Sequence, residues 1–421
     1  MRIILQTLIF ALYCTSTFGN TVTSIQIEGN KHTKDEIILR EIHHSIPSEF
    51  NKEIAKEDRN RIYNLGLFST VEITEVNSVY KIKVAESLRW MPFPMFDYNE
   101  AKGKNGWSYG GGLAFLNFRG LNEKLYLGGT IGETKSYFFN FEDPWMWGDH
   151  GSVNFGISDN TFDDAVYAYE FHQKSFSIGT GYYIGLHHQF EYKLGFDHIK
   201  IDEMADTLYQ QLPESSILEQ QHISAFFEYV YDSRDIYTDP TKGWLITSNL
   251  SSNIGVDSSY SYYNIDFDFT KYIEISQLPF EPVLSINTSI FMQFSEHLPI
   301  FCKTYLGGED YVRGYSSIPS DNPMEAVDKI EVENLIFHSL EYQHTLIPKK
   351  DFGGVEMGID FVLFTDFGYG ADNLQKLKPS NGLLGFGYGF TFFMSSMGVL
   401  GFDFGFNPYE NGYLMHLSMS N

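Results

Sequence analysis

The feature that most constrains this chain is a two-residue alternation, repeated in segments separated by turns from residue 107 to the end. In YNIDFDFTKYI, Tyr263, Ile265, Phe267 and Phe269 share one parity, while Asn264, Asp266, Asp268 and Thr270 share the other. VLSINTSIFMQF sets Leu284, Ile286, Ile290, Met292 and Phe294 against Ser285, Asn287, Ser289 and Gln293, and QFEYKLGF and GFDFGF repeat the pattern. Side chains alternate faces along a strand, so each segment has an apolar face and a polar or glycine face. A soluble sandwich would pack its apolar faces together; a membrane barrel turns them to lipid and its polar faces to a lumen. The segments run about ten residues, the span a tilted strand needs to cross a bilayer. Their polar faces mix charges with bulky Phe and Tyr, which favours the barrel.

Segment starts near residues 107, 124, 136, 151, 165, 174, 188, 221, 243, 260, 282, 334, 354, 382, 396 and 411 give sixteen strands, the even number expected of such a barrel. Composition agrees. Aromatic residues make up 17% and glycines number 37, a balance that suits strands better than helix bundles. Beyond the N-terminal segment no run approaches the roughly 18 apolar residues of a spanning helix. A formal charge of −25 argues against nucleic-acid binding, which needs a basic surface.

The N-terminus, MRIILQTLIFALYCTSTFGN, has Arg2, an apolar Ile3 to Tyr13 and a Thr17-Phe18-Gly19 cleavage site; residues 1–19 read as a secretory signal peptide. Its removal takes Cys14 and leaves Cys302, so no internal disulfide is expected. Residues 22–87 form a separate module. VTSIQIEGN alternates; Thr33 with Glu36 three residues on reads as a capping box; KEDRNRIYNLGLF is a second helix ending at Gly66; STVEITEV and VYKIKVAE are alternating strands. The order is strand, helix, helix, strand, strand. Residues 88–106, with Pro92, Pro94, Trp90 and Phe96 and no clear period, read as a linker to a barrel over 107–421.

This module resembles a POTRA domain, and IYNLGLFSTVEI carries that family's signature through Gly66, Phe68 and Val71. The resemblance implies a domain that binds partners by strand addition at a sheet edge. Further on, YLGGEDYVRGY resembles loop six of the Omp85 superfamily of outer-membrane insertases and translocases, whose Val-Arg-Gly-Phe/Tyr motif matches Val312, Arg313, Gly314 and Tyr315. FNFEDPWMWG, YDSRDIYTDPTKGW and FTDFGYG are also similar to family segments. The fold implied is mainly β: a 16-stranded antiparallel transmembrane β-barrel behind one POTRA domain.

The resemblance implies that loop six folds into the lumen and that Arg313 meets acidic partners on the next two strands, matched here by Glu341 and Asp366. A confined guanidinium needs such partners. Gly110, Gly111 and Gly112, placed in the first strand, read either as a weakened gate strand or as room for neighbouring aromatics. The family implies the bacterial outer membrane with POTRA in the periplasm, unfolded barrel or secreted polypeptides as clients, and scope for periplasmic or lipoprotein accessory factors. Three functions stay open: an insertase working through a lateral seam, a translocation pore of the two-partner-secretion type, and a passive or structural barrel. No His-Glu-x-x-His, Gly-x-Ser-x-Gly or P-loop occurs, so neither an enzyme nor a metal or other cofactor is expected. The final strand ends in Asn421 where the family's sorting signal has an aromatic residue.

Overall fold

The computed structural model describes residues 21–99, 106–132, 134–148, 150–164, 169–204, 217–276, 282–302, 304–316, 331–353, 355–394, 398–409 and 411–420. The signal peptide expected over 1–19 lies outside them, as does Asn421.

The main elements of the module are β1 (Ser24–Glu28), α1 (Asp35–Leu39), α2 (Lys52–Asn64), β2 (Phe68–Val76) and β3 (Val79–Glu86), beside a two-residue pairing of Thr21–Val22 with Ser48–Glu49. β3 is central, parallel to β1 and antiparallel to β2, so β1 and β2 are the sheet edges. Asn51 caps α2 by accepting from Glu53 N and Ile54 N, at 2.9 and 3.2 Å. Gly66 ends the helix with φ +72°. A Cβ there would meet nothing within 4 Å, so the left-handed backbone alone demands glycine. Phe68 and Val71 are buried with Ile37, Ile38, Ile62, Tyr80 and Ile82.

The capping box does not form. Lys34 holds the cap position of α1 without a side-chain bond. Thr33 is turned away: its N donates to Glu86 at 2.7 Å and its hydroxyl accepts from Asn117 Nδ2 at 2.9 Å. Asp58 on α2 is fully buried and accepts from His43 N, His44 N and the Tyr80 hydroxyl, tying turn, helix and sheet together.

The barrel is one sixteen-stranded antiparallel sheet in chain order. Its strands are β4 (Trp90–Asn99), β5 (Gly106–Phe118), β6 (Glu123–Gly132), β7 (Ser136–Asp143), β8 (Gly151–Asp164), β9 (Tyr169–Ile184), β10 (His188–Met204) and β11 (Glu219–Asp232). There follow β12 (Gly243–Val256), β13 (Tyr262–Glu274), β14 (Val283–Ser295), β15 (Asn334–Asp351), β16 (Glu356–Ala371), β17 (Leu383–Met394), β18 (Gly398–Phe406) and β19 (Leu414–Ser420). Tyr263, Ile265 and Phe267 face outward and are exposed, as lipid-facing side chains of a barrel should be.

Sixteen is the number that the alternation implied, but two errors cancel in it. Residues 88–106 are not wholly a linker, because Trp90–Asn99 is the first barrel strand, paired with β5 from Trp90↔Phe115 to Asn99↔Gly106. Separate strands opening near 165 and 174 are not found either: Tyr169–Ile184 is one strand, laddered along its length with β8 and β10. Gly110, Gly111 and Gly112 therefore stand in the second strand and not the first.

Candidate functional site

The connection from β14 to β15 turns back into the lumen. The backbone bridges Gly307 and Val312, and Val312 N donates to Leu306 O at 3.0 Å, which closes a tight turn just before Arg313. Leu306, Val312 and Tyr315 are buried against Val332, Leu335, Phe337 and Leu383. This apolar patch anchors the turn and aims Arg313 at the wall.

Arg313 Nε donates to Asp366 Oδ2 at 2.8 Å and its Nη2 to Asp366 Oδ1 at 2.9 Å, a two-pronged pairing. Nη2 also reaches Glu341 Oε1 at 2.6 Å and Ser339 Oγ at 3.3 Å, and Nη1 reaches Asp403 Oδ2 at 3.0 Å. The guanidinium lies over the Phe364 ring, 3.6 Å from its centroid. Asp366 is fully buried and Arg313 is 8% exposed. Burial on this scale costs both charges their hydration, and the close pairing offsets it.

Glu341 and Asp366 stand on adjacent strands, where Ser339 faces Asp366 across the ladder, and Leu340 between Ser339 and Glu341 is outward and exposed. Sequence reasoning did not reach three further residues. Asp403 comes from β18. His416 on β19 accepts from Gly314 N at 2.9 Å through Nε2, and Asn407 Nδ2 donates to Gly314 O at 2.7 Å. Asp403 had a signal, since alternation in GFDFGF places it on the glycine face, which is the lumen side. The loop backbone approaches that face closely. A Cβ on Gly385 would stand 1.9 Å from Arg313 O, and one on Gly405 2.3 Å from Gly314 N. Tyr315 packs into the apolar patch and its hydroxyl donates to Leu384 O at 3.3 Å.

Below the turn lies a polar hollow of about 480 Å³ lined by Arg313, Glu341, Asp360, Gln343, Arg234 and Asp239. Arg234 is itself paired two-pronged with Asp232, so the β11–β12 connection is braced where it enters the lumen. The module docks at the same end. Lys34 N donates to Gly120 O, Arg40 stacks on Trp145 at 4.3 Å, and Asn64 exchanges bonds with Asp235 and Tyr237. Ser69 Oγ donates to Asp351 at 2.8 Å, and Tyr63 bonds Glu356. These contacts lie on four connections spread around the mouth.

Gly110, Gly111 and Gly112 take no part in the Arg313 cluster. They pair with Met95, Pro94 and Phe93 on one side and Thr130, Gly129 and Gly128 on the other. On the module, β2 keeps an open edge beside α2. A hollow of about 560 Å³ runs between them, lined by Phe50, Ala55, Lys56, Arg59, Ile73 and Glu75. Cys302 sits half-buried in a short 3-10 turn, and burial pushes its thiol up to about 12, so it stays a protonated packing group.

Comparison with known proteins places this geometry in context. The model for the Omp85 superfamily domain matches residues 117–417, and the POTRA model, described as a surface antigen variable number repeat, matches 20–87. An outer membrane protein assembly factor BamA of Nitratidesulfovibrio vulgaris is 24% identical over 418 residues, covering 88% of this chain and 48% of the relative. The chain thus spans about half the length of that curated relative. Among solved structures, BamA from Haemophilus ducreyi lacking POTRA domains 1–3 superposes with a TM-score of 0.55 at 17% identity, covering 95% of this chain and 83% of that one. CdiB from Acinetobacter baumannii gives 0.51 at 13% identity, covering 94% and 73%.

Proposed function

This chain belongs to the Omp85 superfamily, and from that premise we propose that it assists insertion of β-barrel polypeptides into the bacterial outer membrane through the seam between β4 and β19. It is an outer-membrane barrel with its POTRA module in the periplasm, and its family comprises assembly and transport factors, not enzymes. The observation that carries the reading is the seam. Among the described residues the sheet ends at β4 on one side and β19 on the other, with no ladder joining them. A sheet edge next to lipid has unpaired N–H and C=O groups, and an incoming strand satisfies them. Loop six turns into the lumen and the module is docked against the periplasmic connections, which supports lateral delivery over passage through the pore. The open β2 edge of the module is the expected first contact for an extended client, with accessory factors docking outside the surface that meets the four barrel connections.

The test is the folding rate of a small reporter barrel in proteoliposomes with and without this protein. Faster folding, lost when β4 and β19 are locked by a disulfide, is the expected result. No acceleration, in vesicles where this protein is itself folded, would favour secretion of a dedicated passenger. Steady conductance with the loop in place would favour a passive barrel.

A further inference from the structure

The pairing of β4 with β5 decides which of its backbone groups face the seam. Leu116 N donates to Arg89 O at 2.8 Å, and the register runs on through Asn99↔Gly106. Bonded and non-bonded pairs alternate along an antiparallel ladder. Arg89, Met91, Phe93, Met95, Asp97 and Asn99 therefore bond β5. The backbone groups of Trp90, Pro92, Pro94, Phe96 and Tyr98 point the other way, toward β19. Both prolines are in this second set. They cost the β4–β5 ladder nothing, because their missing N–H groups were never part of it. The seam edge, however, keeps donors at Trp90, Phe96 and Tyr98 alone.

The wall behind the prolines is also weak. Pro94 faces Gly111, which faces Gly129; Phe93 faces Gly112, which faces Gly128. On the lipid side this leaves an apolar hollow of about 890 Å³ lined by Pro92, Pro94, Tyr109, Gly111, Gly129 and Tyr137. Glycines contribute no cross-strand packing, so the sheet is easiest to bend at this height. β4 enters from the module, so Pro92 and Pro94 lie in its periplasmic half, with the glycines facing them on β5 and β6.

We propose that Pro92 and Pro94 keep the periplasmic half of the seam unzipped, so that an extended polypeptide strand enters there and pairs with β4 only from Phe96 outward. This deepens the insertase reading and rests on it for the nature of the strand. An antiparallel partner opposite the prolines keeps its own N–H bonds to their carbonyls, yet two of its carbonyls find no donor. In hydrocarbon, where no water replaces the missing bonds, that penalty exceeds what the remaining ladder returns locally. It applies equally to β19, in keeping with the missing β4–β19 ladder among the described residues.

The experiment compares the full-length protein with P92V/P94V in nanodiscs, reading amide hydrogen exchange over Leu414–Ser420 and, in parallel vesicles, reporter-barrel folding. Valine restores both donors and keeps an apolar surface toward lipid. Exchange at Leu417–Ser420 should slow by at least about tenfold, the factor that a single recovered net hydrogen bond gives, and folding assistance should fall with it. The single variant P94V should shift both readouts in the same sense, and decides the matter if the double variant does not fold. Unchanged exchange in a variant that still migrates as a folded barrel overturns the proposal. If exchange slows but the native protein never accelerated the reporter, the seam edge stands and the insertase reading falls.

Discussion

Replacing Arg313 with alanine removes the cation from a cluster that holds Asp366, Glu341 and Asp403 together. Asp366 is fully buried, so water cannot take over for the guanidinium. Taking one partner from a buried ion pair costs about 3–5 kcal/mol. Each charge-assisted bond accounts for about 1.5–3 kcal/mol, and Arg313 makes such bonds to three carboxylates. Their sum overshoots, because bonds within one network are not additive. The expected loss is therefore about 4 kcal/mol, read by urea unfolding of the barrel in detergent micelles. Arg313→Lys should recover only part of it, since an ammonium cannot make the two-pronged contact with Asp366. A double-mutant cycle with Asp366→Asn should show coupling of about 2 kcal/mol, inside the range for directly bonded groups. Released from its anchor, the segment Leu306–Ser316 should become cleavable by added protease. A loss under about 0.5 kcal/mol, the ordinary range of a surface substitution, with the loop still protected, would show that the apolar patch alone holds the turn.

Two other outcomes can be checked by similar means. Gly385→Ala places a methyl 1.9 Å from Arg313 O; backbone must shift, and the loop should loosen as in Arg313→Ala although no charge changes, which the same protease assay reads. Burial raises the Glu86 carboxyl, but bonds from Thr33 N and His32 N outweigh it and hold the group below its ordinary 4.5. A depressed carboxylate stabilises the fold above its unfolded value and loses that contribution as pH falls through the folded one. Glu86→Gln should thus cost about 1–2 kcal/mol at neutral pH, and the gap should close in acid below 4.5; a gap that stays constant through the acid range would assign the loss to packing.

Much of the architecture was legible because alternation is a local property. One face of each strand must suit lipid and the other the lumen, so YNIDFDF shows its orientation in its own residues. The module was legible for the same reason, its Gly66, Phe68 and Val71 marking a helix end and a small core. What failed was punctuation. Pro92 and Pro94 look like linker residues, and only the discovery that their missing N–H groups face an unpaired edge turns WMPFPMFDYN into a strand. Thr33 looked like a helix cap until Asn117 and Glu86 took both of its polar groups.

By itself the sequence determined the strand period, the module's element order and the loop arginine, and its resemblance to family segments pointed to two of the acidic partners. Tertiary structure alone decided that Asp403, Asn407 and His416 also close on the turn, that the module docks on four connections, and where the seam falls. The physical reason is separation along the chain. Arg313 and Asp403 are 90 positions apart, and Gly314 and His416 are 102. Periodicity tells which face a side chain occupies, but only the sheet curling round loop six sets which distant faces meet.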